Sequence, residues 1–300
     1  MTKPTKPLTA SRKPGRPPID LSAKIRDILD YTAPLSPSAE RPFAHFEEHA
    51  TAIDQLLKYV DRHLTTQSIY QVVYDRHMAR LRRMAFVALV EAFERFLNEL
   101  AIICVDRLAR YVNDGRFDRF SATGSEIAAH FAAGSIGKAL CESSTWLNNK
   151  EVNERFRRLL KSPFGDNWKV WILPDRAKSN PDFEKKEAES VAVPWQIRHT
   201  IVHNTGILTA SDAIKLTLLL GQPIDADRVL TPSRQDFRYA KRLLVRCAKR
   251  INGVVGTRLA HVLTEIHSRS PQLFEAQHEA NAVSQAFQLP ITVADRAGAP

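Results

Sequence analysis

An arginine and a histidine five residues apart are the side chains in this sequence best suited to chemistry. They are Arg198 and His203, with His199 and Asn204 beside them in the segment 195–204. A guanidinium stays protonated and neutralises phosphate charge, whereas an imidazole exchanges a proton near neutral pH. RNA carries its own nucleophile, the 2′-hydroxyl, so such a pair can cleave it without a metal ion. The pattern predicts chemistry on phosphodiesters.

Two long helices are predicted to flank this segment. Residues 66–113 contain no Pro or Gly, and their apolar side chains recur at three- and four-residue spacing, which is typical of a buried helix. A second long helix is expected to begin at Thr231-Pro232, a capping threonine followed by proline, and to continue to Ile266. Alternating strand patterns are nearly absent, so the predicted fold is all-α.

Shorter helical patterns cover the remaining ordered stretches. They are expected at residues 43–63, 125–142, 151–161 and 184–203, the last with Pro194 as a kink or a restart. Residues 163–185 are expected to form an ordered loop packed by Trp168 and Trp171. Residues 206–222 give no clear prediction.

The net charge of +10 favours acidic partners such as nucleic acid. Half of the excess lies in residues 1–19, and residues 1–20 form a basic, proline-rich arm that is predicted to be disordered. Within this arm, Arg12, Lys13 and Arg16 surround a Gly-Arg-Pro core that resembles an AT-hook, a peptide that binds the DNA minor groove. The simpler interpretation, which a single short motif favours, is a solubilising tail with a chance Gly-Arg-Pro.

Four segments follow from these patterns. Residues 1–20 are the arm, 21–75 an N-terminal helical segment, 76–266 the main helical domain and 267–300 a polar, weakly patterned C-terminal tail. No apolar run is long enough to span a membrane, and no secretory signal opens the chain. The three cysteines are far apart, which favours buried free thiols and a cytoplasmic protein.

The order of these elements resembles the HEPN superfamily, in particular its RiboL-PSP-type branch. The resemblance covers roughly residues 75–255 and rests on the segments 91–100, 197–204 and 221–224, followed by the closing helix. It implies a HEPN-like bundle of long antiparallel helices that forms a homodimer, in which the motif helices of two protomers make one cleft. HEPN proteins with an intact motif are typically metal-independent endoribonucleases, and many are toxins or antiphage-defence effectors.

Carried onto this sequence, the resemblance makes Arg198 and His203 the catalytic pair. His203 would act as general base or acid for attack by the 2′-hydroxyl, and Arg198 would hold the scissile phosphate. His199 and Asn204 would orient the phosphate or the leaving group, and the product would carry a 2′,3′-cyclic phosphate. The expected partners are RNA, a second copy of the chain and an antitoxin or regulator, and no cofactor is expected.

Purely structural roles remain open for the same residues. Arg198 could be an ion-paired arginine and His203 a helix C-terminal histidine. Glu91 and Glu94 could reach the cleft or lie on an ordinary solvated face. His199 and His203 have the spacing of two metal ligands, but no third ligand is evident nearby, so no metal is expected.

Two other functions compete with the ribonuclease. One is a catalytically silent HEPN dimer that binds nucleic acid or a protein partner. The other is a DNA-associated regulator in which the basic arm matters most. On a single helix, Arg198 and His203 point about 140° apart. A dimer cleft or the reach of the long arginine side chain would resolve this, so dimerisation is part of the ribonuclease hypothesis.

Overall fold

The described part of the chain is helical. The computed structural model describes residues 38–66, 70–131, 134–142, 146, 149–161 and 190–293. Within these ranges the sole extended pairing is one isolated antiparallel bridge between Ile207 and Val229. The helices are α1 (Pro42–Thr66), α2 (Gln71–Leu108), α3 (Gly124–Phe131), α4 (Ile136–Cys141), α5 (Asn149–Leu160), α6 (Ala192–Asn204), α7 (Ala210–Leu220), α8 (Arg234–Arg269) and α9 (Ala276–Phe287). The all-α prediction is confirmed.

Some predicted features lie outside the described residues. These are the basic arm with its AT-hook-like Arg12, Lys13 and Arg16, and the loop containing Trp168 and Trp171. Helix α1, by contrast, falls within the predicted N-terminal segment 21–75 and is described in full. It belongs to the same compact unit, residues 37–300, as the main helical domain.

Helix α2 occupies the centre of the core. Its periodic apolar side chains are buried along most of its 38 residues, as the spacing predicts. The ring centroids of Phe46 on α1 and Phe93 on α2 lie 5.7 Å apart. Helix α8 packs against both α1 and α2. None of the helices in the described ranges combines the length and the apolar character needed to cross a bilayer.

Helix α8 begins two residues later than expected. Ser233, not Thr231, is the N-cap: its hydroxyl accepts from the Asp236 N–H at 3.1 Å, and the Asp236 carboxylate accepts from the Ser233 N–H at 2.7 Å. This reciprocal pair satisfies two backbone donors that the first turn leaves free, which a lone threonine cannot do. The prediction of a Thr231 cap was therefore wrong.

The helical pattern of residues 125–142 forms two helices instead of one. Helix α3 ends at Phe131 and α4 begins at Ile136, and Gly134 between them has a φ of 65°. A left-handed residue ends an α-helix, and glycine adopts it without steric cost.

The C-terminal segment contains a helix that the expected polar tail did not anticipate. In α9, Ala276, Ala280, Val283 and Phe287 follow a helical spacing and are buried against the core. The Asn252 side chain on α8 donates to the Phe287 carbonyl at 2.7 Å, which fixes the end of α9. The polar composition of this stretch conceals its single apolar face.

The contact between α8 and α9 gives a matched pair of glycine substitutions. A Cβ at Gly256 would lie 2.8 Å from Cγ of the buried Phe287, whereas a Cβ at Gly253, less than one turn away, would meet nothing within 4 Å. We expect Gly256→Ala to lower the free energy of unfolding by about 1–3 kcal/mol through overpacking. We expect Gly253→Ala to raise it by about 0.5–1 kcal/mol through helix propensity. Chemical denaturation measures both, and equal stability of the two variants would contradict this packing.

Candidate functional site

Helix α6 carries the arginine–histidine motif and lies against α2. Trp195 anchors it: the indole is buried, and its ring centroid lies 5.9 Å from that of Phe93. Thr200 is fully buried one turn and a half later. Pro194 lies in the first turn, where its missing N–H has no helical partner to lose. Pro194 therefore lies in the first turn of this helix and does not kink it.

The C-terminal end of α6 is held by the backbone and by Arg83. Thr205 has a φ of 53°, and the Gly206 N–H donates to the Thr200 carbonyl at 3.1 Å. Arg83 on α2 donates to the Thr205 carbonyl at 3.3 Å. Gly206 has a φ of 88°, and a Cβ there would lie 3.0 Å from Arg83 Nη1, so this position suits glycine.

A second anchor joins α6 to α7 through Asp212. Asn204 donates to Asp212 Oδ2 at 2.7 Å, and Gln196 donates to Asp212 Oδ1 at 2.9 Å. Burial opposes ionisation of Asp212, but hydrogen bonds from Thr209 and Asn204 outweigh it and lower the pKa of the carboxyl below its usual range. Asn204 therefore positions the end of the motif helix.

Arg198 faces the carboxylates of α2. Its Nη2 lies 3.3 Å from Glu91 Oε1, and the Arg198 side chain is 16% exposed whereas Glu91 is 52% exposed. Arg198 Nε is buried and has no hydrogen-bond partner among the described residues. The guanidinium is thus desolvated on its Nε side and incompletely hydrogen-bonded, and its Nη2 is held by the exposed Glu91.

Glu94 is the more perturbed of the two carboxylates. Burial raises its pKa to about 7, although the Arg198 guanidinium and the Trp195 indole act in the opposite direction. Its Oε1 is buried and lacks a hydrogen-bond partner among the described residues. A carboxyl that exchanges its proton near neutrality beside an arginine is typical of functional sites.

The two histidines of the motif lie on the solvent side of α6. His199 and His203 are both exposed, and their ring centroids are 4.5 Å apart. In the described contacts no hydrogen bond joins either ring to Arg198. No group of three or more His, Cys, Asp or Glu side chains in the described ranges is arranged to hold a metal ion. One chain therefore displays the arginine and the histidines on different sides of the helix.

Exposed apolar side chains lie on the motif helix and on the elements next to it in the chain. We call this the apolar surface: it comprises Val202, Ile207, Ile214, Leu218 and Val229, which lie on α6, on α7 and on the bridge between their loops. Leu218 is 79% exposed and Ile214 is 62% exposed. Large apolar side chains concentrated on neighbouring elements are typical of a protein–protein contact.

A cavity of about 890 Å³ lies on another side of α6. Phe86, Val193, Ile197 and Leu243 are among the side chains that line it, and none of the predicted catalytic or supporting residues does so. Because Ile197 and His203 lie on different sides of the helix, the cavity does not open onto the histidine pair.

The structure thus brings the predicted residues into three groups: Arg198 with Glu91 and Glu94, His199 with His203, and Asn204 with Asp212. Sequence patterns missed Arg83 and Asp212, whose partners are distant in the chain or on the next helix. No family model matches this chain, and no curated protein or solved structure is significantly similar to it.

The raised pKa of Glu94 predicts a pH-dependent stability. The free carboxyl has a pKa of 4.5 and the folded one about 7, so the folded protein binds more protons between these values. Stability contributed by Glu94 therefore falls as the pH rises through this window and stays low above it. We expect Glu94→Gln, which removes the charge, to raise the melting temperature at pH 8 and to leave it unchanged at pH 4.5.

The control for that experiment is Glu91→Gln, because Glu91 is exposed and its ion pair contributes little. Its melting temperature should follow that of the original protein across the same pH range. A pH-independent effect of Glu94→Gln would show that the carboxyl is not held protonated by burial.

Proposed function

We propose that this protein is a metal-independent endoribonuclease of the HEPN type that works as a homodimer. The observation that carries the proposal is the exposure of His199 and His203 on a firmly anchored helix that also holds the partly satisfied Arg198. The all-α architecture, with the motif helix packed on one long helix and followed by another, is compatible with such a bundle. The toxin or antiphage-defence role implied by the HEPN resemblance belongs to the same proposal.

The proposed reaction uses the nucleophile that RNA provides. His203 accepts the proton of the 2′-hydroxyl, and the resulting oxygen attacks the adjacent phosphorus. The bond from phosphorus to the 5′-oxygen breaks, the leaving oxygen takes up a proton, and a 2′,3′-cyclic phosphate remains. Arg198 stabilises the additional negative charge on the phosphoryl oxygens. In this proposal His199 orients the leaving group and supplies its proton.

A homodimer could bring together an arginine and a histidine that project in different directions from one helix. Residues five apart on an α-helix project about 140° from each other, so Arg198 and His203 of one chain do not converge on one phosphate. The apolar surface includes Val202, the sequence neighbour of His203, and offers a contact for a second copy. Two α6 helices that face each other would place the histidine of one protomer near the arginine of its partner.

Glu91 supports a second candidate, the catalytically silent dimer that binds nucleic acid or a protein partner. Glu91 occupies Arg198 in the single chain and would compete with a substrate phosphate. Because Glu91 is half exposed, the pair is weak and an incoming phosphate can displace it. This observation therefore keeps the silent dimer as the alternative and the ribonuclease as the preferred function.

The histidine and arginine substitutions test the chemistry. We expect His203→Ala and Arg198→Ala each to lower RNA cleavage in EDTA by about 10²–10⁴-fold, the range typical of losing one proton-transfer or charge-stabilising group. Labelled RNA followed by gel electrophoresis measures the rate, and end analysis detects the cyclic phosphate. His261→Ala is the control, because His261 is equally exposed but lies on α8.

Cleavage that survives in His203→Ala at the original rate would refute the assigned role of His203. Binding of RNA without cleavage by the original protein would instead favour the silent dimer.

The apolar surface gives a separate prediction about assembly. We expect Leu218→Glu to convert the dimer into a monomer and to abolish cleavage, because a buried unpaired charge destabilises an interface. Light scattering coupled to size-exclusion chromatography measures the mass. Leu56→Glu on α1 is the control: Leu56 is 55% exposed and lies outside the apolar surface. If the Leu218→Glu protein remains a dimer, the interface does not lie on the apolar surface.

A further inference from the structure

A second pair of histidines lies on α1, away from the motif helix. His45 and His49 are separated by one helical turn, and their Nε2 atoms are 3.0 Å apart. His45 is 6% exposed, whereas His49 is open to solvent. Neither residue takes part in the proposed ribonuclease chemistry, and no element of the fold requires two imidazole nitrogens to face each other.

Glu99 on α2 fixes the orientation of the inner ring. His45 Nδ1 lies 2.9 Å from Glu99 Oε1 and 3.1 Å from Oε2. Arg95 donates to the same Oε1 at 2.9 Å, so the carboxylate is itself held in place. A carboxylate at Nδ1 keeps the proton on that nitrogen, which leaves the Nε2 lone pair of His45 directed at His49.

The arrangement has the geometry of two neighbouring metal ligands. At a metal–nitrogen distance of about 2.0–2.1 Å, nitrogens 3.0 Å apart subtend an angle of about 95° at the metal. This value is close to the right angle between adjacent positions of a tetragonal or octahedral ion, and lower than the tetrahedral angle that zinc prefers. A carboxylate behind the first imidazole is the usual orienting contact in histidine metal sites.

We propose that His45 and His49 bind a first-row divalent metal ion, with copper(II) preferred over nickel(II) and zinc(II). Imidazole nitrogens suit these ions, and copper(II) forms the most stable complexes of the divalent series. Water completes the coordination, since His49 faces solvent and the described ranges contain no group of three ligands.

The bound ion would join two turns of α1, and the contact of His45 with Glu99 on α2 would add to the stability of the pair. It replaces the proton that the two imidazoles share, and His45 passes the constraint to Glu99 on the central helix. An ion that binds the folded chain more tightly than the unfolded one stabilises the fold. This role is independent of RNA cleavage, which is proposed to proceed in EDTA.

The motif helix supplies an internal control. His199 and His203 share the four-residue spacing and lie with ring centroids 4.5 Å apart, nearly the 4.6 Å of His45 and His49. They differ in that no carboxylate hydrogen-bonds either ring in the described contacts. If spacing alone created a copper site, both pairs would bind equally.

The test is copper(II) titration of the full, untagged chain, followed by calorimetry and electron paramagnetic resonance. We expect one high-affinity equivalent with hyperfine coupling to two imidazole nitrogens. His49→Ala should weaken this binding at least tenfold, and Glu99→Gln should weaken it by about 10–100-fold. The His199→Ala/His203→Ala double variant should retain it. Melting curves in EDTA check that His49→Ala, a change at an exposed site, folds normally.

Three results would overturn the proposal. They are copper affinity unchanged in His49→Ala, loss of the high-affinity equivalent in the α6 double variant, and a spectrum without two-nitrogen coupling. If the original protein binds copper(II) no more tightly than His49→Ala does, then the pair is a hydrogen bond between two imidazoles and not a metal site.

Discussion

Helix α2 buries its apolar face against the rest of the core, so the polar side chains that lie next to this face need partners on neighbouring elements. The arrangement of the other helices follows from these partnerships as well as from apolar packing. Along α2, Arg83 donates to the Thr205 carbonyl, Glu91 pairs with Arg198, and Asn98 accepts from Trp146. Further along the helix, Glu99 hydrogen-bonds His45, Asp106 accepts from Ser135 and Gly137, and Arg107 donates to Glu279. Burial without these partners would cost more than the hydrogen bonds contribute, because an unsatisfied group retains its full desolvation penalty.

The position of the motif helix α6 follows from its contacts with α2 and with α7. Trp195 inserts beside Phe93, which sets the depth of α6, and Asp212 fixes its far end through Asn204. Within that frame Arg198 is drawn towards the acidic face of α2, and the histidines remain in solvent. The incomplete satisfaction of Arg198 and Glu94 is the departure from good polar packing that one expects at a functional site.

Local patterns predicted much of the fold, because periodicity and capping are properties of neighbouring residues. The 3.6-residue spacing of α2 is visible in the sequence, and so is the helical character of α6. Helix α9 was missed since its few apolar positions are diluted by polar ones. The cap was placed at Thr231 because Thr-Pro is itself a common helix start, whereas Ser233 forms a reciprocal capping pair with Asp236. The spacing of Arg198 and His203 identified the candidate pair, and the HEPN resemblance stays a prediction. The contact between His45 and Glu99, by contrast, joins residues 54 positions apart and follows only from how α1 packs on α2.

The central claim is that the nucleophile belongs to the RNA and not to water or to a metal-bound hydroxide. The most direct measurement compares an RNA that the protein cleaves with the same strand carrying a 2′-deoxy sugar at the cleaved position, both in EDTA. The account predicts cleavage of the first strand to a 2′,3′-cyclic phosphate and no cleavage of the second at that position. Equal cleavage of both strands there, or the lack of any RNA strand that the protein cleaves, would contradict it.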